Sequence, residues 1–554
     1  MINEADTLKP RLVSSTRNHR ASPARALRKM NNMLNQAWLG LPLLYALTVG
    51  GLVDGYRHGG VPPDRRLSRA LLAGLPVMVG LMIAWAVIFD VVGPGRADIG
   101  TALSTLDFLL LMVFFVSASA LAGAALARRD LSESHKRGTV VLDETEQAPQ
   151  VVDPNALTIA GHPLTLLDET KHFKILGTTG TGKSTVIREL LSKALSRGDR
   201  AVIADPDGGY AARFYNPERG DVILSPFDTR ASRWDLFAEM TLPQDADQLA
   251  RSFIAERDGE EQVWRGFART YVSCILRQLN RSEEQRDLGR LFHLISTATE
   301  DDLRDLLQAT PAARFLGNRE GGKFLQSVQS VASQHLMAIE HLARQSEGQL
   351  FSIRRWIREG RGVLFLPYHA NEIASLGSLI SAWMRIAIFE TLSGAESDQG
   401  IWFVVDELEA LGAIDGLKDA LTRLRKFGGR CILGFQSIAQ VRGAFGDTQA
   451  QSITENCGNT VIFRCSASER GGTAEFASRL IGKRQIVRRQ SSITRSGLFS
   501  RASGSRTISE QVQTEDAVMA SEIEQLPDLR GFLKLASQPQ WRRVTLRLPE
   551  EGRT

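Results

Sequence analysis

The stretch Gly177-Thr178-Thr179-Gly180-Thr181-Gly182-Lys183-Ser184 decides the fold of this 554-residue chain. It matches the phosphate-loop pattern G-x-x-x-x-G-K-[ST] in full, and it stands between an apolar run at 173–176 and a segment with helical spacing at 186–194. Glycines let the backbone turn so that successive N–H groups point at a phosphate, and the following helix directs its positive end to the same place. The pattern predicts a nucleotide site in a strand–loop–helix unit.

The loop contains two side chains with direct roles in nucleotide chemistry. Lys183 can reach the β- and γ-phosphates of a bound nucleotide, and the Ser184 hydroxyl can hold Mg²⁺. ATP and Mg²⁺ are therefore the predicted cofactors. The residues predicted to bind the nucleotide are Gly177, Thr178, Thr179, Gly180, Thr181, Gly182, Lys183, Ser184 and Thr185.

An acidic pair and a glutamine follow two later apolar runs. A strand at 401–405 would deliver Asp406 at its carboxyl end, where it can hold the metal through water, and Glu407 could polarise the attacking water. The next run ends at Gln436, which can merely cap a loop or can sense the γ-phosphate through its amide. The predicted catalytic residues here are Lys183, Glu407 and Gln436, and the predicted metal ligands are Ser184 and Asp406.

Two further polar features each have a structural and a functional interpretation. Arg423, Arg425 and Lys426 lie in a helix-like stretch at 417–427, where helical spacing puts Arg423 and Arg425 on different faces. A solvated basic face is one interpretation of this stretch. Alternatively, an arginine there can stabilise the transferring phosphate of a neighbouring subunit. Asp205 follows an apolar run at 201–204, and it can start a turn or support the phosphate loop from behind.

The order of the apolar runs predicts the fold class. Strand-like and helix-like segments alternate at first, helical spacing alone dominates between 241 and 350, and strand-like runs then resume. We predict an α/β fold: a RecA-like P-loop NTPase domain in two parts, 159–240 and 351–554, interrupted by an all-α insertion domain at 241–350.

The first 130 residues are a predicted N-terminal transmembrane helical region. Apolar stretches at about 71–89 and 108–127 are long enough to cross a hydrocarbon core of ~30 Å as helices. Two such stretches before any globular pattern make buried core helices a poor alternative. A third apolar segment at 37–53 contains Pro42 and several glycines.

The positive charges predict the orientation of this region. Basic residues are abundant before residue 37 and at 54–70, whereas 90–107 contains one arginine and three aspartates. Because positively charged segments stay in the cytoplasm, two spans with both chain ends inside agree with every charge. The segment 37–53 then lies in the interface or re-enters the membrane.

Two segments are predicted to lack regular packing. Residues 131–158 are polar and are interpreted as a linker. Residues 483–506 contain seven basic residues and no acid, with much Ser, Thr and Gly between them. This segment is predicted to be mobile, and it can contact DNA phosphates, contact an acidic membrane or form a solvated loop.

Composition adds little to these predictions. The net charge of +5 is only mildly basic, which is compatible with an acidic partner but does not identify one. The four cysteines form neither a CxxC pair nor a metal-ligand spacing with histidine. Reduced cytosolic thiols are therefore expected.

Together these motifs resemble the coupling proteins of bacterial conjugation and type IV secretion. The resemblance rests on GTTGTGKST at 177–185, WFVVDELEAL at 402–411, LTRLRKFGG at 421–429, LGFQSIAQ at 433–440 and LPDLRG at 526–531. Paired N-terminal spans and a helical insertion between two halves of a RecA-like sheet fit the same pattern. The extra apolar segment at 37–53 is not required by the two-span pattern of the family.

The resemblance implies a homo-hexameric, ring-forming ATPase of the bacterial inner membrane, with its ATPase domain in the cytoplasm. The implied partners are single-stranded DNA, a relaxase with its relaxosome proteins, and inner-membrane components of the secretion channel. In such rings hydrolysis is stimulated by DNA and occurs between subunits, and Arg425 matches the position of the arginine that acts in trans. The helical domain would take part in substrate selection.

Two other functions stay open at this stage. A double-stranded DNA translocase of the chromosome-segregation type would usually carry a long linker and a small C-terminal DNA-reading domain, whereas the sheet pattern here runs almost to the end of the chain. A secretion ATPase that assembles the channel without handling DNA is the other alternative. The helical insertion and the N-terminal hairpin favour the coupling function over it.

Overall fold

The structure, a computed structural model, divides into two compact units. Unit 1 comprises Met1–His135 and Ile486–Gln513, and unit 2 comprises Lys136–Gln485 and Thr514–Thr554. The residues that the structure describes are 44–57, 63–92, 105–129, 134–144, 156–256, 261–317, 321–397, 399–468, 472–494 and 505–548. The predicted phosphate loop lies in unit 2.

Three helices form the described N-terminal part of unit 1. They are α1 over 44–57, α2 Pro63–Val92 and α3 Thr105–Arg129. At a rise of about 1.5 Å per residue, α2 and α3 are about 45 Å and 37 Å long. The stretches predicted as membrane spans therefore lie within helices, and the third apolar segment is helical from residue 44 onward, its first seven residues being outside the described part.

Helix α1 packs closely on α3 through small residues. A Cβ atom on Gly51 would lie 2.7 Å from both the Ser119 Cβ and the Val116 carbonyl oxygen. A Cβ atom on Gly55 would lie 2.9 Å from the Gly123 Cα. Small residues four apart on each helix thus let the two backbones approach, an arrangement that is frequent between helices in membranes.

The described parts of α2 and α3 also expose large apolar side chains. These are Leu67, Leu71, Leu72, Leu75, Val79, Met82, Val113, Val116 and Leu121. Leu72 is 82% exposed and Leu121 is 72% exposed. Exposed apolar side chains in this number favour an apolar environment over water.

The described strands range from two residues, as in β7, to twelve residues, as in β14. In chain order they are β1 Ser134–Gly138, β2 Val141–Leu142, β3 Thr158–Ile159, β4 His162–Pro163, β5 Phe173–Leu176, β6 Arg200–Pro206, β7 Val222–Ile223, β8 Arg233–Trp234, β9 Leu350–Phe351, β10 Val363–Tyr368, β11 Ile401–Val405, β12 Gly429–Phe435, β13 Asn459–Ile462, β14 Lys483–Thr494, β15 Ser505–Asp516, β16 Arg530–Lys534 and β17 Trp541–Thr545.

Ten of these strands form the main sheet, in the order β2-β17-β16-β13-β5-β12-β11-β6-β10-β7. The strands from β13 to β7 pair in parallel, whereas β16 pairs antiparallel with β13 and β17. Strand β12 lies between β5 and β11, and β6 lies on the other side of β11. The carboxyl ends of these four strands therefore meet at one edge of the sheet, as they do in other open α/β sheets that bind ligands there.

The helices of unit 2 are α4 Leu166–Glu169, α5 Lys183–Ser196, α6 Ala211–Phe214, α7 Asp245–Phe253, α8 Gln262–Leu279, α9 Leu288–Ser296, α10 Glu300–Leu307, α11 Gly321–Leu336, α12 Ala338–Ala343, α13 Ile353–Glu359, α14 Ile373–Ser393, α15 Leu417–Arg423, α16 Ile438–Phe445, α17 Asp447–Asn456, α18 Gly472–Ile481 and α19 Ala520–Glu524. Single 3₁₀ turns occur at Pro217–Arg219, Phe237–Glu239, Glu283–Gln285, Pro311–Phe315 and Leu424–Phe427. The segment predicted as an all-α insertion contains α7 to α12.

Two apolar cores lie in unit 2. One joins α14 and the adjacent strands to the helices α7 to α12, and the other contains α5 with β5 and β6. Helix α14 is long and apolar enough to cross a membrane by length and composition, but most of it is buried in the first core. In the N-terminal unit the same test, applied to the described side chains, finds only a shorter apolar helix, Val113–Leu126.

The Glu239 side chain makes hydrogen bonds to residues that precede and follow the helical segment 241–350. Its side chain is fully buried, and Oε1 accepts hydrogen bonds from the Trp234 indole N–H at 3.0 Å and from the Ile353 N–H at 2.7 Å. Oε2 accepts from the Arg354 N–H at 3.0 Å. The Ile353 and Arg354 N–H groups belong to the first two residues of α13. Glu239, which precedes the insertion in the sequence, therefore caps a helix that begins after the insertion.

A pH dependence of stability follows from this buried carboxyl. Burial is the main cause that raises the pKa of Glu239 from 4.5 to about 7. Because the folded state then holds a proton that the unfolded state releases, stability from this group is fully present below pH 4.5 and is lost as pH rises through about 7. The loss is at most about 1.4 kcal/mol per pH unit in that window.

We expect the apparent melting temperature of the full chain to fall more steeply between pH 5 and 7.5 than that of Glu239→Gln, which cannot titrate. The measurement is the difference between the two melting curves at matched pH and salt. Parallel pH profiles for the two proteins would contradict the expectation.

One interpretation from the sequence needs correction. The segment 483–506 is predicted to be mobile, but β14 forms its first half and pairs with β15, and 495–504 lie outside the described residues. Arg484 forms an ion pair with Glu515 on the partner strand β15 at 2.8 Å. Glu515 lies outside 483–506, so the composition of that segment alone does not reveal the pairing. Within the predicted linker at 131–158, the described residues include β1, β2 and Thr158, the first residue of β3.

Candidate nucleotide site

The phosphate loop connects β5 to α5 at the carboxyl edge of the main sheet. Gly180 and Gly182 have φ angles of +78° and +122°, a region that favours glycine. The Thr181 hydroxyl donates to the Thr178 carbonyl oxygen at 2.7 Å, which closes the turn. Ser184 and Thr185 follow in the first turn of α5, so the nine residues at 177–185 form one continuous loop and helix start.

Lys183 is buried within this loop. Its Nζ donates to the carbonyl oxygens of Gly177 at 2.8 Å and Thr178 at 3.3 Å. Burial lowers the pKa of Lys183, and the nearby acids Asp406, Glu409 and Glu407 act in the opposite direction. The ammonium group thus sits beside the acidic side chains and is held by the loop's own carbonyl groups.

Ser184 and Asp406, the two predicted metal ligands, are in direct contact. The Ser184 hydroxyl donates to Asp406 Oδ2 at 2.7 Å. The Tyr210 hydroxyl donates to the same oxygen at 2.8 Å. Asp406 Oδ1 is buried and has no hydrogen-bond partner within the described residues. Sequence reasoning did not find Tyr210, because no spacing relates it to the acidic pair.

Asp205 acts on this pair indirectly. Its carboxylate accepts hydrogen bonds from the Tyr210 N–H at 2.9 Å and the Ala211 N–H at 2.7 Å. Burial raises the pKa of Asp205 to about 6. The contact fixes the backbone of Tyr210, whose hydroxyl donates to Asp406. Asp205 therefore supports the site through Tyr210.

Gln436 bridges the acidic pair and the phosphate loop. Its Nε2 donates to Glu407 Oε1 at 2.9 Å, and its Oε1 accepts from the Thr179 hydroxyl at 3.1 Å. Its backbone N–H donates to Glu409 Oε1 at 2.8 Å. The structure therefore brings Gln436 and Glu407 together, and it adds Glu409, which the sequence pattern did not single out.

Arg425 lies at the opposite edge of the sheet. It belongs to the 3₁₀ turn Leu424–Phe427, which precedes β12, whereas the phosphate loop follows the carboxyl end of the parallel neighbour β5. At about 3.3 Å per residue, β12 alone separates the two edges by roughly 20 Å. Arg425 is exposed, and the structure does not bring it to the nucleotide site of its own chain.

The chain matches a family model described as the type IV secretion-system coupling protein DNA-binding domain, over residues 156–547. It is 31% identical over 386 residues to coupling protein TraD of Escherichia coli (strain K12), an alignment that covers 68% of this chain and 53% of TraD. It is 24% identical over 328 residues to protein VirD4 of Rhizobium radiobacter, with 56% and 45% covered. The chain thus spans about half the length of these curated relatives.

Solved structures of a conjugative coupling protein share the fold. The unbound form of TrwBdeltaN70 superimposes with a TM-score of 0.66 at 30% identity, covering 75% of this chain and 94% of that chain. The plasmid coupling protein TrwB in complex with ADP and Mg²⁺ gives a TM-score of 0.64 at 30% identity, covering 75% and 94%. These similarities confirm the predicted RecA-like α/β fold.

Proposed function

The chain belongs to the family of type IV secretion-system coupling proteins, and from this premise we propose that it is the coupling ATPase of a conjugative secretion system. It binds single-stranded DNA joined to a relaxase and drives the complex towards the secretion channel by hydrolysing ATP. The observation that carries the proposal is the contact of Ser184, Asp406, Glu407 and Gln436 around one phosphate loop. The inner-membrane components of the channel are its expected partners.

The residues of the site fit a nucleotide with Mg²⁺. Asp406 Oδ1 and the Tyr368 hydroxyl are buried polar atoms without a hydrogen-bond partner in the described part of the chain. Buried polar groups are rarely left unpaired unless a ligand, ion or water satisfies them. Among the described residues, the Lys183 ammonium group donates only to carbonyl oxygens of its own loop, so it can turn towards a phosphate.

Each residue then has a defined task. Residues 177–185 hold the phosphates, Lys183 balances their charge, and Ser184 with Asp406 would hold Mg²⁺. ATP with Mg²⁺ supplies the phosphoanhydride bond whose hydrolysis releases the free energy for movement. Glu407 accepts a hydrogen bond from Gln436, which orients its carboxylate for activating water, and Thr179 links that glutamine to the phosphate loop.

The position of Arg425 supports a ring of subunits. A phosphate-stabilising arginine at the edge opposite its own phosphate loop can act only on a neighbouring subunit. A homo-hexamer in which each Arg425 completes the site of the next subunit satisfies this geometry. We also propose the domain limits given by the sequence, with the insertion at 241–350 between the two sheet segments 159–240 and 351–554.

The N-terminal unit supports attachment to the bacterial inner membrane. The exposed apolar faces of α2 and α3 favour lipid. The basic residues before 37 and at 54–70 support an orientation with the chain ends and the ATPase domain in the cytoplasm. The proposed spans are about 71–89 and 108–127, both within helices.

The test is ATP turnover by the full chain in detergent, with no DNA, single-stranded DNA or double-stranded DNA, at 50 and 200 mM salt. We expect stimulation by single-stranded DNA that fades at higher salt. If about four phosphates are neutralised, binding weakens by roughly 50-fold over this range. Lys183→Ala provides the background rate.

The other outcomes would replace the proposal. Stimulation by double-stranded DNA alone would indicate a translocase of the chromosome-segregation type. Turnover that is indifferent to both DNAs would indicate an assembly ATPase that does not handle DNA. No turnover above the Lys183→Ala background would contradict the ATPase function itself.

A further inference from the structure

Glu409 lies in the turn after β11, close to the acidic pair, and it has no role in the nucleotide motifs. Its Oε1 accepts the backbone N–H of Gln436 at 2.8 Å. Its Oε2 is buried and has no hydrogen-bond partner among the described residues. A glutamate in a turn that had no functional role would be expected to expose both carboxylate oxygens to water, because burying a carboxylate costs free energy.

In the part of the chain that the structure describes, the Gln436 N–H that Glu409 binds donates to no backbone carbonyl group. Strand β11 ends at Val405, and the ladder between β11 and β12 continues for one further bond, from the Leu408 N–H to the Gly434 carbonyl oxygen at 2.9 Å. Gln436 comes two residues later, beyond the end of the ladder. The Glu409 side chain therefore takes the place of the next carbonyl group on the neighbouring strand.

The backbone position of Gln436 determines what its side chain can reach. The amide donates to Glu407 at 2.9 Å and accepts from Thr179 at 3.1 Å, on two different segments of the site. A side chain with several rotatable bonds keeps two such contacts only if its backbone is fixed, because misplacement by about 1 Å breaks one of them.

We propose that Glu409 is a positioning residue for ATP hydrolysis, acting through Gln436, an inference that rests on the ATPase function proposed above. Its carboxylate holds the Gln436 backbone, and Gln436 in turn orients Glu407 and connects it to the phosphate loop. Glu409 does not touch the nucleotide in this scheme, so it affects the rate of turnover rather than the binding of ATP.

The test compares steady-state ATP turnover of the full chain for the wild type, Glu409→Ala, Glu409→Gln, Gln436→Ala and the double variant Glu409→Ala/Gln436→Ala. We expect Glu409→Ala to lower kcat by about tenfold with little change in KM, since a hydrogen bond to a charged group is lost. Glu409→Gln keeps an acceptor oxygen and should recover most of the rate. The double variant should be no slower than Gln436→Ala, because Glu409 acts only through that residue.

Glu396→Ala, which removes an acidic side chain from an exposed loop, is the matched control and should leave turnover unchanged. If Glu409→Ala does not fold, Glu409→Asp carries the same expectation, because a carboxylate one methylene shorter no longer reaches the N–H group. An unchanged kcat, a rise in KM alone, or losses that multiply in the double variant would overturn the inference. A wild type without turnover would instead refute the ATPase function, so the two failures are distinguishable.

Discussion

Lys183→Ala is expected to lower ATP turnover by at least about 100-fold, since a preorganised charge that stabilises the reacting phosphates is worth that much or more. In cells with the cognate conjugative system, DNA transfer should be lost together with turnover. The protein should nevertheless remain in the membrane fraction, because Lys183 lies in unit 2 and the proposed membrane contacts belong to the helices of unit 1.

Lys193→Ala is the matched control for this variant. Lys193 lies on the same helix α5, but its ammonium group donates to the Ala156 carbonyl oxygen at 3.1 Å, away from the phosphate loop. The same loss of charge there should leave turnover within a few-fold of the wild type. Equal losses in both variants, or release of Lys183→Ala from the membrane, would contradict the division between motor and anchor.

Mixing two inactive variants is expected to restore activity. In the proposed ring, Arg425→Ala lacks the arginine that would complete a neighbour's site, and Glu407→Gln lacks the carboxylate that would activate water in its own site. In an equal, random mixture about one quarter of the interfaces combine an intact Glu407 with an intact Arg425, which sets the upper limit of recovered turnover. Each variant alone should be slower than the wild type by roughly 1,000-fold or more if Arg425 acts as a trans arginine.

The measurement is turnover as a function of mixing ratio, after subunits have been exchanged and reassembled. Arg423→Ala is the matched control, because Arg423 is a second exposed arginine at the end of α15 and its loss should have little effect. An absence of recovery at every ratio, with mixed assemblies shown to form, would indicate that Arg425 belongs to a solvated basic face. Full activity of Arg425→Ala alone would lead to the same conclusion.

The sequence identified those parts of the site that are contiguous in the chain. Residues 177–185 need only a local turn and the helix that follows, so their pattern predicted the loop that the structure contains. The apolar runs before Asp406 and Gln436 were readable as buried strands, because strands covered on both faces are continuously apolar. The structure places these residues within hydrogen-bond distance, as expected for the carboxyl edge of a parallel sheet.

The antiparallel strands at the C-terminal end were not predicted. Strands β14 and β15 are rich in charged and polar residues, so they lack the apolar alternation by which a half-buried strand is recognised. Their pairing is visible only when both strands are compared, as the Arg484–Glu515 ion pair shows.

Tertiary structure alone decided which side chains surround the residues of the nucleotide motifs. Tyr210 and Glu409 follow β6 and β11, Tyr368 is the last residue of β10, and no spacing in the sequence connects them. They meet because the order of strands in the sheet brings β6, β10 and β11 side by side, and that order is set by long-range packing. The same order put Arg425 at the far edge, away from its own phosphate loop. Local sequence thus determined which residues can do the chemistry, whereas sheet order determined which of them share a site.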